Sequence, residues 1–173
     1  MSDISSLNDE ILVGQTSRFI STLAQCRELE IQVVGARKNE LLLKLPYSTN
    51  LIGNHETGVI HGGAITTLMD TASGSCIICA LDDFELCPTL DLRVDYMRAA
   101  EPEHPVFARA YTYRITPNLI FTRCQAFQLL EGSDTLTPHE TETLVAHCVA
   151  TFMRIGKENT PTFFADLVKG EVR

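Results

Sequence analysis

The residues of this sequence best suited to chemistry lie in positions 54–70, where a polar stretch leads to a His-Gly-Gly sequence at 61–63. Across residues 58–81, Asp70 is the only side chain that carries a full formal charge. A carboxylate in a long run of apolar and small residues is costly to bury unless it is hydrogen-bonded, paired or used in a reaction. Such a carboxylate can act as a general base or as a nucleophile.

A helix that begins at the His-Gly-Gly sequence would supply the other half of such chemistry. The first backbone N–H groups of a helix lack partners and lie at the positive end of its dipole, so they can stabilise an oxyanion. Gly62 offers its N–H without a side chain in the way, and Gly63 is a second candidate donor. His61 either holds the turn or hydrogen-bonds near the reacting group, and the sequence leaves both roles open.

The distance between these groups predicts a second copy of the chain. Nine positions separate His61 from Asp70, which is about 13 Å along a helix. One small reacting group cannot touch both the helix start and Asp70 of the same helix. An antiparallel second helix packed near Thr66 would bring Asp70 of one chain to Gly62 of the other. We therefore predict a two-fold homodimer with paired interfacial sites.

A metal site and a redox site are both possible interpretations that we do not favour. His55, His61 and Asp70 are metal-ligand types, but the spacing of the last two within one helix is too wide for a shared ion. Cys76 and Cys79 form a C-x-x-C sequence without a second pair at zinc-finger spacing. They fall inside the apolar run that we interpret as a helix, so we expect reduced core thiols.

Composition narrows the class of protein. The 173 residues are 45% hydrophobic, which is enough for one domain with a substantial core. A net charge of −8 argues against non-specific binding to nucleic acid or to an anionic membrane. The sequence shows neither an apolar run long enough to span a bilayer nor a signal peptide, so we expect a cytoplasmic protein.

The elements that must position these residues follow from hydrophobic periodicity. We predict a first helix at about 9–27, strands at about 30–34 and 41–45, and a long central helix at about 63–80. Four further strands follow at about 89–97, 106–115, 119–130 and 144–155, with a polar loop at 132–142 before the last of them. The turns between the last strands are too short for parallel crossovers, so the sheet should be antiparallel. The predicted fold class is α+β, with this sheet curled around one long central helix.

These features together resemble the PaaI-like acyl-CoA thioesterases of the hotdog fold. The resemblance depends on the element order, the His-Gly-Gly start at 61–63, the carboxylate at Asp70, the strand Thr-Leu-Asp-Leu-Arg-Val-Asp-Tyr-Met at 89–97 and the closing Ala-Thr-Phe-Met at 150–153, and it covers roughly 35–153. It implies hydrolysis of a small or medium acyl- or aryl-CoA at a dimer interface. It also implies dimers paired into a homotetramer, with CoA as part of the substrate and no separate cofactor.

The resemblance divides the chain into three parts and suggests roles for two more residues. Residues 1–30 would be an N-terminal helical extension, 31–155 the hotdog thioesterase domain and 156–173 a C-terminal tail. Thr89 stands where the family often has a Ser or Thr that holds the attacking water. Its alternative is an ordinary β-branched strand residue.

One position departs from the family pattern. In many relatives an amide side chain that orients the carbonyl or the water stands six residues before the histidine, where this sequence has His55. Asn54 lies seven residues before it. We favour Asn54 for that role because an amide can donate to a carbonyl whatever its protonation state, and keep His55 as the alternative.

Two other functions and two sets of binding residues stay open. A non-catalytic acyl-CoA-binding module would have no use for a buried base, and a dehydratase on the same fold would need a histidine well placed beside the carboxylate. Candidates for the acyl pocket are Phe84, Met97, Phe121 and Phe127. Candidates for the CoA phosphates are the arginines at 93, 98, 109, 114, 123 and 154.

Overall fold

In the computed structural model, which describes residues 6–129 and 142–171, the N-terminal segment forms two helices, α1 (Glu10–Thr22) and α2 (Ala24–Glu28). Asp9 caps α1, because its carboxylate accepts the N–H groups of the second and third following residues at 3.1 Å. The prediction of one continuous helix is wrong, because the helix is interrupted at Leu23. Just before Leu23, the hydroxyls of Ser21 and Thr22 donate to backbone carbonyls three residues earlier, and these bonds compete with continuation of the helix.

Six strands form one antiparallel sheet, as predicted. They are β1 (Gln32–Arg37), β2 (Glu40–Leu45), β5 (Thr89–Tyr96), β6 (Val106–Ile115), β7 (Leu119–Leu129) and β8 (Glu142–Met153). Their order across the sheet is β1-β2-β6-β7-β8-β5, so β1 and β5 lie at the edges. The polar loop predicted at 132–142 lies outside the described residues, apart from its last position.

The irregular approach to the central helix contains a small hairpin of its own. It pairs β3 (Ile52–Asn54) with β4 (Val59–Ile60). Gly58 closes the turn with φ of +72°, a conformation that side-chain-bearing residues rarely adopt, and donates its N–H to the Asn54 carbonyl at 2.9 Å. The hairpin delivers the chain to the start of the central helix.

The central helix α3 (Gly62–Ser75) lies on the inner face of the sheet against β2, β6 and β7. Its buried stripe consists of Ile65, Leu68, Met69 and Ala72, which join the inward side chains of the strands in the main core. This one-sided stripe agrees with the predicted spacing.

The helix ends one turn earlier than its apolar pattern predicts. Residues 76–81 form successive tight turns, in which the Ile77 and Cys79 N–H groups bond to carbonyls three residues earlier. Cys76 and Cys79 lie in these turns and are fully buried. Burial raises the pKa of the Cys79 thiol to about 11 and raises that of Cys76 as well. The apolar sequence continues past Ser75 because the turns that follow the helix are also buried.

The C-terminal segment docks on the N-terminal one. Its helix α4 (Thr162–Lys169) packs against α1, where the Arg18 guanidinium donates to the carbonyls of Leu167 and Val168. The rings of Phe19 and Phe164 lie 6.1 Å apart. Within the described ranges, no helix is both long enough and apolar enough to cross a bilayer.

Candidate active site

The start of α3 presents one free backbone donor. His61 is the N-cap, and its Nδ1 accepts the Gly63 N–H at 2.9 Å. The Ala64 N–H bonds to the His61 carbonyl at 3.0 Å. The Gly62 N–H has no acceptor within the described residues, so it is available to a bound oxygen. Because Nδ1 accepts, a neutral His61 carries its proton on Nε2.

Tyr96 braces this helix start and was missed by the sequence analysis. Its hydroxyl lies 2.5 Å from the Gly62 carbonyl, to which it donates, and 2.7 Å from Thr66 Oγ1. The Tyr96 side chain is 49% exposed at the edge of the sheet. The residue type could have indicated this role, because a tyrosine at an apolar edge commonly bonds a nearby polar group through its hydroxyl.

The second group of site residues consists of Asp70 and Thr89. Asp70 is half-buried on α3, and its Oδ1 accepts the Thr89 hydroxyl at 3.0 Å. Thr89 is the first residue of β5, whose other end carries Tyr96. The same edge strand therefore contacts α3 at both groups. The hydrogen bond leaves the other carboxylate oxygen of Asp70 available to a water or a carbonyl carbon.

The loop candidates form a turn rather than joining either group. Asn54 Oδ1 accepts the Glu56 N–H at 3.0 Å, so its amide oxygen is used locally. Asn54 and His55 are both exposed. A Cβ added at Gly53 would lie 2.8 Å from the His61 Cα, which shows that the hairpin packs directly on the helix start. The NH₂ group of Asn54 makes no hydrogen bond within the described residues and could meet a ligand.

One subunit does not bring the two groups together. Eight positions of α3 separate Gly62 from Asp70, which is about 12 Å along a helix. Among the residues that the structure describes, no three His, Cys, Asp or Glu side chains are grouped as metal ligands.

Several candidate binding residues lie elsewhere in the fold. Phe121 and Phe127 are on the outer sheet face, where their rings contact those of Tyr113 and Phe107, so they do not line a pocket at Asp70. Met97 is 56% exposed just beyond the far end of β5, but it lines a hollow that Gly62 also lines. Phe84 contacts the Phe19 ring on α1 at 5.6 Å. The alternating pattern of β7 could not tell which of its faces meets α3.

Two of the six candidate arginines are committed to the fold. Arg109 is 1% exposed and lies over the Phe127 ring, and Arg154 pairs with the buried Glu85 carboxylate at 2.8 Å. Neither presents a free guanidinium to a phosphate. Arg98 has the same 26% side-chain exposure as Arg154 and bonds to Glu101 and Gln128, so the more accessible members of the set are Arg93, Arg114 and Arg123.

Comparison with known proteins agrees with this architecture. A family model described as the thioesterase superfamily matches residues 57–131. A crystal structure of a Pseudomonas aeruginosa protein is 49% identical and covers 83% of this chain and 99% of its own, with a TM-score of 0.71. The PaaI protein from the phenylacetic acid degradation operon of Escherichia coli is 14% identical over 84% of this chain and 96% of its own, with a TM-score of 0.66. The likeness to PaaI confirms the predicted fold.

A Halobacterium salinarum protein that is provisionally named an esterase is 38% identical over 76 residues. That match covers 42% of this chain and 50% of the relative, so the chain spans about half the length of that curated relative. The matched family region, the antiparallel sheet and the buried α3 lead to one conclusion. The chain belongs to the thioesterase superfamily and has its hotdog fold.

Proposed function

We propose that the chain hydrolyses the thioester of a small or medium acyl- or aryl-CoA, at two sites formed across a two-fold homodimer. The proposal depends on one observation, which is that the two reactive groups lie far apart along α3. The Gly62 N–H is free at the helix start, whereas the Asp70 carboxylate is held by Thr89 about 12 Å away. An antiparallel partner helix would join one group of each kind in each site.

The exposed edge of the sheet supports the dimer. β5 pairs with β8 on one side and has no strand partner on the other within the described ranges. Leu90, Tyr96 and Met97 are 56%, 49% and 56% exposed along and just beyond it. An unpaired edge that exposes apolar side chains favours pairing with another strand. A second β5 would continue the sheet and place the two α3 helices side by side. Pairing of dimers into a homotetramer is a further part of the proposal.

The geometry suggests a reaction in two steps. The substrate carbonyl oxygen accepts the Gly62 N–H, which stabilises the negative charge that develops when water attacks the carbonyl carbon. Asp70 of the partner subunit takes the proton of that water as general base. The tetrahedral intermediate then expels the CoA thiolate, which is protonated to the free thiol. The products are a carboxylate and CoA.

Three residues support these groups. Thr89 fixes one oxygen of Asp70, and His61 fixes the Gly63 N–H, so the ring acts as a cap rather than as an acid. The NH₂ group of Asn54 would orient the carbonyl or the water. Direct attack by Asp70 to form a mixed anhydride is the alternative first step. Trapping of an acyl-enzyme by hydroxylamine would distinguish it from general-base catalysis.

The test is release of free thiol from a panel of acyl-CoAs by the wild type and by Asp70→Asn. We expect the substitution to lower kcat by about 10²–10⁴-fold, because it removes the base, while acyl-CoA binding persists. Asp82→Asn is the matched control, since it makes the same change in an exposed pair with Lys38. Equal rates in wild type and Asp70→Asn would remove Asp70 from the mechanism.

The same panel separates the other two functions. A wild type that binds acyl-CoA and releases no thiol would be a binding module. Formation of an alkene from a 3-hydroxyacyl thioester would indicate a dehydratase. In the His61 ring, Nδ1 is already engaged, because it accepts the Gly63 N–H.

A further inference from the structure

A pocket of about 180 Å³ opens beside Asp70 and Thr89 on the side away from the start of α3. Its walls are mostly apolar and come from four parts of the chain, including Phe19, Leu23, Ile77 and Phe152. Apolar pockets with a polar group at one end commonly bind the apolar part of a ligand and orient its reactive end. Here the polar end is the carboxylate to which we have assigned the reaction.

One wall of this pocket belongs to the N-terminal helix rather than to the hotdog domain. Phe19 and Leu23 lie on and directly after α1. The C-terminal helix holds α1 in place, because Arg18 donates to the carbonyls of Leu167 and Val168 at 3.0 Å and 2.6 Å. The Phe19 ring also contacts those of Phe84 and Phe164. The N-terminal segment therefore lines the pocket, and the C-terminal segment braces it.

Gly74 lines the pocket next to the Phe152 ring. A Cβ added there would lie 3.2 Å from the Phe152 ring, which is tighter than most contacts of that kind. A methyl group at this position would therefore both fill part of the pocket and press on its apolar wall. Gly74 lies four residues after Asp70, which is one helical turn. Gly74 therefore lines the pocket close to the carboxylate.

The volume limits what can enter. A cavity of about 150 Å³ admits a benzene molecule. The 180 Å³ here suits a single ring or a short branched or straight chain, and a long fatty chain would meet Phe19. We propose that this pocket holds the acyl group, and that α1, clamped by α4, restricts the substrates to compact acyl- or single-ring aryl-CoA thioesters. This inference rests on the proposed function, because it takes Asp70 as the reaction centre.

The test compares acyl-length profiles. We would measure kcat/KM for straight-chain acyl-CoAs from about four to about twelve carbons and for benzoyl-CoA, with the wild type and Phe19→Ala. The wild type should prefer the short chains and the ring. Removing the Phe19 ring should raise the ratio of long-chain to short-chain kcat/KM by about tenfold or more, since several additional methylenes gain a buried site. Phe163→Ala is the matched control, because that ring is 53% exposed on α4 and lies outside the pocket.

Gly74→Ala tests the opposite direction and carries the test if Phe19→Ala does not fold. It should lower kcat/KM for the longer chains more than for the shortest one. Equal profiles for Phe19→Ala and Phe163→Ala, or a Gly74→Ala profile that matches the wild type, would overturn the acyl pocket. A wild type that hydrolyses long and short chains equally would overturn the substrate class.

Failure of the proposed function has a different signature. If the wild type releases no thiol from any acyl-CoA, the hydrolase assignment falls, and affinity for hydrolysis-resistant thioether analogues still reports on the pocket. If the wild type binds compact analogues more tightly than long ones, and Phe19→Ala removes that preference, the pocket is upheld. Affinity independent of chain length in both proteins would overturn it.

Discussion

At the scale of single residues, the site depends on two hydroxyl groups that meet α3 from the edge strand. Thr89 donates to the carboxylate of Asp70, and Tyr96 donates to the first carbonyl of the helix, at Gly62. A hydrogen bond to a charged group commonly contributes more than one between neutral groups. The two hydroxyls should therefore affect activity to different extents.

Thr89→Val should lower kcat about ten- to a hundredfold, because it keeps the shape of the side chain and removes the donor to Asp70. Thr89→Ser keeps the donor and should stay near wild-type activity. Steady-state kinetics with one good acyl-CoA measures both. A valine variant as active as the serine variant would show that Thr89 is only a strand residue.

Tyr96→Phe should reduce the free energy of unfolding by about 1 kcal/mol and lower kcat with little change in KM, because the first peptide of α3 loses its brace. Tyr113→Phe is the control, since Tyr113 is also 49% exposed. Denaturant unfolding and kinetics on both variants provide the comparison. A loss of stability without any change in kcat would limit Tyr96 to a structural role.

At the scale of elements, the segment between α3 and β5 is held by one buried carboxylate. Glu85 accepts from Arg154 at 2.8 Å and 3.1 Å and from the Gly156 N–H at 2.9 Å. Burial alone would raise the pKa of this carboxyl, but its hydrogen bonds and the charges of Arg154 and Lys157 outweigh burial and hold the pKa below its ordinary value. Residues 85–88 of this segment also line the pocket, and the segment leads directly into Thr89.

Glu85→Gln should lower the free energy of unfolding at neutral pH by about 1.5–3 kcal/mol, since it removes charged hydrogen bonds. A carboxyl whose pKa is depressed by folding stabilises the protein above the unfolded-state pKa, near 4.5, and loses that contribution as pH falls through the folded-state pKa. The stability difference between wild type and Glu85→Gln should therefore shrink below about pH 4.5.

Urea unfolding from pH 3 to pH 8 would measure that difference, with about six pH values spread across the range. Asp82→Asn serves as the exposed control, because its side chain is 95% exposed. A difference that stays constant with pH would contradict the assigned role of the Glu85 charge.

At the scale of the whole molecule, the separation of the two groups along α3 led us to propose that two subunits share each site. Mixing two inactive variants tests this sharing. Gly62→Pro removes the free N–H at the first helical position, where proline fits the backbone and the preceding His61 already has an extended ψ of 132°. Gly62→Ala keeps the N–H and adds the same first carbon, so it is the control.

A refolded equal mixture of Asp70→Asn and Gly62→Pro chains should recover about a quarter of wild-type activity, because half of the dimers are mixed and one of their two sites is intact. Neither variant alone should be active. Sedimentation should show a dimer or a tetramer for each protein. No recovery in a mixture that does form mixed dimers would place the whole site within one subunit.

Much of the fold could be predicted because it depends on local patterns. Alternation along β5 and β6 and the one-sided stripe of α3 reflect which side chains meet the core, and short turns require antiparallel neighbours. The end of α3 was mispredicted for the same reason. Buried turns and buried helices carry the same apolar composition, so periodicity does not separate them.

The sequence by itself determined the α+β layout, the isolated carboxylate at Asp70 and the glycine start of the central helix, because these follow from residue type and spacing along one element. Only the tertiary structure decided that Thr89 and Tyr96 reach α3 from the two ends of β5. It also decided that α1, which α4 braces through Arg18, lines the pocket beside Asp70. Such contacts join residues far apart in the chain, and their geometry follows from the packing of whole elements, which no local pattern encodes.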